Sequence, residues 1–120
     1  MKTVKSVKAR NTQLEERLLE FSQGILDLAR RLSLRDPLRD QLVRAGTSGG
    51  ANYIEACEAV SAKDFVHRIA IARKEMRETI YWLRLVAYSY FGLAEDCRKL
   101  DAEANQLVRI FSAILKKFHA

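Results

Sequence analysis

The chain has 120 residues, 48% of them apolar and 30% charged, with a formal net charge of +6. That is enough for one domain with a real core, and the balance excludes a disordered or fibrous chain. No run approaches the roughly 20 apolar residues that cross a bilayer, and the opening MKTVKSVKAR lacks the apolar block of a secretory signal, so the expectation is a cytoplasmic protein with no membrane partner.

The charge is unevenly spread. Lys2, Lys5, Lys8 and Arg10 precede the first acidic residue, Glu15, leaving 17 basic against 15 acidic residues from position 11 onward. Residues 1–11 read as a basic tail and 12–120 as a single domain. Such a tail strengthens contact with RNA, DNA or an acidic partner through counterion release, or is simply a solvated chain end.

Leu14, Leu18, Phe21, Ile25, Leu28 and Leu32 alternate in steps of four and three, which predicts a first helix over about residues 12–32. Asp36 before Pro37, the only proline, marks the next start: a carboxylate caps free amides, and proline in the first turn loses no hydrogen bond. The second helix is expected to carry Leu38, Leu42, Ala45, Gly49, Asn52 and Ala56 on its buried seam and to end near Ala59 or Val60. Its glycines, Gly46, Gly49 and Gly50, each cost about 1 kcal/mol relative to alanine inside a helix, which favours a loop. The unbroken spacing favours a helix on which small residues let a neighbour approach closely. The segment lacks the Gly-Lys-Ser/Thr of a phosphate loop.

Ser61 followed by Asp64 is a capping signal for a third helix, with Phe65, Ile69, Ala72, Met76, Thr79, Leu83 and Val86 on its seam, reaching about Tyr90. Gly92 is expected to end it through a left-handed turn. A fourth helix over about 94–118 would bury Leu93, Cys97, Leu100, Ala104, Leu107, Phe111, Ile114 and Phe118. With no strand-period segment and three short connections, the fold class is all-α, an antiparallel up-down-up-down four-helix bundle. Second apolar rows on helix three (Ile80, Trp82, Leu85, Tyr88) and helix four (Val108, Ile110, Leu115) point either to a subunit interface or to a wide core. Cys57 and Cys97 fall at opposite ends of such a bundle, too far apart for a disulfide. Cys97, at a helix start, is placed for a lowered pKa if accessible and is otherwise a small apolar residue.

Beside the seam runs a polar stripe. Arg44, Ser48, Asn52 and Glu55 share one face of helix two, and Glu75, Glu78 and Trp82 follow similar spacing on helix three. An antiparallel hairpin turning near residue 60 brings Arg44 towards Glu78, and Glu55 towards His67 or Arg68. At least one cross-helix ion pair is expected; if partly buried, it fixes helix register more than it adds stability, and losing one partner costs roughly 3–5 kcal/mol. A di-iron site would need two Glu-x-x-His motifs. The chain offers only Asp64-x-x-His67, and its other histidine is His119. Neither zinc-ligand spacing nor a catalytic triad is present, so no cofactor and no enzymatic activity are expected.

The run from Arg44 to Ala56, then Ser61-Ala62-Lys63-Asp64-Phe65, then Ile71 to Thr79, closing with Trp82-Leu83, resembles the bacterial four helix bundle protein family. Its members include small proteins encoded in intervening sequences of 23S ribosomal RNA genes. By position the motif residues are Ser48, Asn52, Glu55, Ser61, Asp64, Phe65, Glu75 and Glu78. Many relatives have glycine after the motif glutamate, where this chain has Ala56, as a sub-branch does. The resemblance implies a homo-oligomer, a ring of five by analogy with relatives. More distantly, it implies a nucleic-acid or reverse-transcriptase-like partner, as for the accessory proteins of diversity-generating retroelements.

Two functional readings follow. In one, the protein is a non-enzymatic homo-oligomeric scaffold that engages RNA, or a protein that processes nucleic acid, through Lys2, Lys5, Lys8 and Arg10 together with Arg30, Arg31, Arg35 and Arg39 at the first helical corner. Asp36 and Asp40 partly offset that corner, and aromatic residues do not alternate with its arginines as a single-strand stacking platform requires. In the other, Glu55, His67, Glu75 and Glu78 build a small-molecule or metal site.

Overall fold

A computed structural model describes residues 11–118; the tail lysines Lys2, Lys5 and Lys8, with Arg10 and His119, lie outside them. Four helices follow one another: α1 (Thr12–Ala29), α2 (Pro37–Cys57), α3 (Ala62–Ser89) and α4 (Ala94–Lys116), with a short 3-10 turn (Phe91–Leu93) before the last. Each packs on the next, and α4 closes against α1, giving the expected up-down-up-down bundle in a body of 49 × 21 × 21 Å. Among the described residues no helix is long and apolar enough to cross a membrane.

Three of the four helix starts are capped by a side chain. Asn11 accepts the Leu14 amide, Asp36 that of Leu38, and Ser61 that of Asp64, satisfying donors left open in a first turn. Helix α1 ends at Ala29, earlier than its apolar period suggested. Tighter i to i+3 bonds from Arg31 to Leu28 and from Leu32 to Ala29 follow, and they keep Leu32 buried although it is no longer α-helical. Helix α2 runs unbroken through its glycines to Cys57, slightly short of the expected turn. A Cβ on Gly46 would stand 2.6 Å from the Ile25 side chain, so the small residues are there for close approach.

Gly92 does not end α3 in a left-handed turn: no glycine among the described residues has positive φ. Tyr90, at φ −122° and ψ 83°, redirects the chain instead. Its hydroxyl donates to Asp36 Oδ2 at 2.6 Å and accepts the Ser33 amide at 3.2 Å. The tyrosine thereby joins the α1–α2 corner to the α3–α4 corner.

The seam residues are buried as expected on α1 and α3. On α2, Tyr53 replaces Asn52 in the core, and Asn52 stays at its edge. On α4, Leu115 is buried where Ile114 was expected; Phe118, just past the helix, packs its ring 5.5 Å from that of Phe65. In the second apolar rows Ile80, Trp82, Val108 and Ile110 are partly buried and packed against the core. Tyr88 alone of those residues is left exposed. Cys57 and Cys97 are both buried and not joined. Burial pushes the Cys97 thiol up to about 11, with Asp96 and Asp101 adding to the effect, so its place at a helix start gives no activated thiolate.

Candidate functional site in the second and third helices

The polar stripe occupies the outer face between α2 and α3, and the helix register determines who meets whom. Arg44 Nη1 donates to Glu75 Oε1 at 3.1 Å, and Arg44 Nη2 to Glu78 Oε2. Gln41 Oε1 accepts two further bonds from the same guanidinium. Glu78 Oε2 also accepts the Trp82 indole N–H at 2.9 Å. One turn from the α2–α3 connection, Arg68 Nη1 meets Glu55 Oε2 at 2.7 Å. Both expected cross-helix approaches are present, and the second goes to Arg68 rather than His67.

The environment is graded. The Glu75 side chain is only 12% exposed, whereas that of Arg44 is 49% exposed. The Trp82 indole, opposed by partial desolvation and reinforced by Arg44, holds the Glu78 carboxyl below its ordinary 4.5. Between these ion pairs Asn52 Nδ2 donates to the carbonyl and hydroxyl of Ser48, at 2.9 and 3.1 Å. The central pair is thus satisfied within α2.

Glu55, His67, Glu75 and Glu78 do not converge. Arg44 and Glu55 stand eleven residues apart on one helix, about 16 Å along its axis, and each binds its own partner on α3. Among the described residues no three His, Cys, Asp or Glu side chains are grouped to hold a metal ion.

A family model for the 23S rRNA-intervening sequence protein matches residues 10–113. The chain belongs to that family. A crystal structure of a protein of unknown function from the S23 ribosomal protein family of Bacteroides thetaiotaomicron is similar to it. That relative is 31% identical, with a TM-score of 0.80 over 86% of this chain and 98% of the other. Comparison with curated proteins gives no match.

In this member of the family the motif residues divide by task. Ser61 caps α3 and Phe65 is core. Asp64 supplies the amide that Ser61 accepts and puts a negative charge in the first turn. Ser48, Asn52, Glu55, Glu75 and Glu78, with Arg44 and Trp82, form the outer stripe.

The corner arginines are largely engaged. Arg30 meets Asp27, Arg31 meets Asp96, and Arg39 donates to the Ala29 carbonyl; no hydrogen bond or ion pair engages the Arg35 side chain among the described residues. Contacts with no forerunner in the sequence analysis include Gln41 on Arg44, Tyr90 on Asp36, and the two-bond pairing of Arg17 with Glu103. Gln41 lies three residues before Arg44 and was legible by helical spacing. The other two join helices distant in sequence and carried no local signal.

Proposed function

We propose that this protein is a non-enzymatic homo-oligomeric scaffold that engages RNA or a nucleic-acid-processing partner. The observation that carries this reading is the saturation of the stripe: its charged groups are spent on one another, as in a structural seam, rather than left converging on a vacant centre. Family membership and the net charge of +6 support the nucleic-acid part.

An assembly face is supported on the α1–α2 side. There Leu18, Leu19, Gly50, Ala51 and Ile54 line an apolar groove of about 380 Å³, and Leu19, Leu26 and Ile54 are exposed. Five copies in a ring is the expected arrangement.

Light scattering on the full chain and on a version lacking residues 1–10, at low and high salt and with and without RNA, tests the proposal. The expected result is a salt-resistant multiple of the 13.7 kDa chain that takes up RNA in a salt-sensitive way. A monomer indifferent to RNA would overturn it.

A further inference from the structure

The outer groove between α3 and α4, on the opposite side of the bundle from α1–α2, is lined by charges of one sign. Arg73, Arg77, Arg109 and Lys116 line about 590 Å³ of open space floored by Val108 and Ser112, and no carboxylate lines it. The acids that might cancel it are engaged elsewhere. Glu75 and Glu78 are held by Arg44 on the α2 side, and Asp101 is paired with Arg84 at the groove's end. Among the described residues Arg73 has a neutral partner, the Ser112 hydroxyl at 3.2 Å, and none of the four cations has an ion pair. Four like charges kept together without counter-charges repel one another, and a polyanion relieves that repulsion.

Aromatic residues continue the row. Arg73, Arg77, Tyr81, Arg84 and Tyr88 step by four, four, three and four along α3, which stacks them on one face. Tyr81 and Tyr88 are 58% and 89% exposed. Buried phenols would be core; exposed ones next to arginines offer ring faces. A cationic groove that tracks a backbone, with aromatic side chains for bases, is how single strands are held without sequence preference. A duplex, its bases already stacked, has no use for the tyrosines.

We propose that this groove binds a single-stranded polynucleotide, with phosphates on Arg73, Arg77, Arg109 and Lys116 and bases on Tyr81 and Tyr88. The inference rests on the nucleic-acid reading above and moves the contact away from the α1–α2 corner.

The test is fluorescence anisotropy of the full chain with a labelled single-stranded RNA of about 20 nucleotides, single-stranded DNA of the same sequence, and the RNA duplex, from about 50 to about 200 mM salt. Four phosphate contacts predict a slope of log affinity against log salt near −3, at about −0.7 per contact. Arg77→Glu with Arg109→Glu should weaken single-strand binding more than about tenfold and flatten that slope by about 1.4. Tyr81→Ser with Tyr88→Ser should lose about tenfold or more and leave the slope unchanged. RNA and DNA single strands should bind within about threefold of each other, since the groove reads phosphates and ring faces.

All four substituted residues are exposed, so unchanged circular dichroism is expected. Lys63→Glu with Arg98→Glu serves as the charge-matched control. Wild-type binding with both groove pairs no weaker than the control, or a preference for duplex, overturns the site while leaving the nucleic-acid reading standing. No binding by the wild type overturns both.

Discussion

At the scale of single residues, Glu78 links two helices. It takes the Trp82 indole from its own helix and the Arg44 guanidinium from α2 on the same oxygen, and both favour its charged form. Because its folded pKa lies below the ordinary 4.5, it contributes stability that is fully present above about pH 4.5 and lost as the pH falls through the depressed folded value. Trp82 is the only tryptophan, so its fluorescence should report the protonation of its own acceptor at a midpoint below pH 4.5. In Arg44→Met that midpoint should move up, and urea unfolding should show a loss of about 1 kcal/mol, small because about half of the Arg44 side chain is exposed. At that exposure the loss is less than the roughly 3–5 kcal/mol the sequence suggests for a partly buried pair. An unchanged fluorescence midpoint in Arg44→Met would show that the guanidinium does not act on Glu78.

At the scale of helices, the glycines of α2 give the sharpest contrast, because three neighbours of identical propensity meet different surroundings. A Cβ at Gly46 would sit 2.6 and 2.8 Å from branched carbons of Ile25, a side chain fully enclosed in the core. Gly46→Ala should therefore destabilise by about 1–3 kcal/mol. At Gly50 the nearest atom, Leu18 Cβ, is 3.5 Å away, an ordinary contact, so Gly50→Ala should stabilise by up to about 1 kcal/mol through helix propensity. Thermal melts of the two variants should shift in opposite directions; a shared direction would refute this account of the close approach. The spacing of Leu42, Ala45, Gly49 and Ala56 was enough to read a helix through these residues, since burial on one face outweighs local propensity. It did not show which glycine touches what, because that depends on where Ile25 and Met76 arrive from other helices. The turn after α3 departs from the sequence expectation for the same reason, although the helix ends at Ser89, close to the expected Tyr90. Gly92 is the residue sequence rules favour for a left-handed turn, but Tyr90, its phenol held by Asp36 54 residues away, redirects the chain two residues earlier. The stripe was legible because both its halves lie within one hairpin, whose register follows from counting. The α3–α4 groove carries a weaker sequence signal, because its cations are spread across two helices rather than clustered in sequence.

At the scale of the whole molecule, the four helices are not equally secured. Helix α3 is packed closely along both α2 and α4, while α1 meets α2 less closely and α4 more sparingly still. On its α2 side α1 leaves the apolar groove that holds Leu19 and Ile54 near the surface. Stability in such a bundle is distributed, and the element with the fewest enclosing neighbours opens first. Amides of Ile69, Met76 and Leu83 in α3 should exchange with deuterium only through global unfolding. Those of Leu18 and Phe21 should exchange through a smaller opening that releases α1. If copies assemble through the α1–α2 groove, that opening must first free the partner, so by mass action the protection of α1 should rise with protein concentration while that of α3 changes less. Hydrogen exchange read by mass spectrometry across a dilution series separates the cases. Protection of α1 equal to that of α3 at every concentration would mean that the bundle opens as one unit, and lower α1 protection that does not respond to dilution would place the subunit contact on another face.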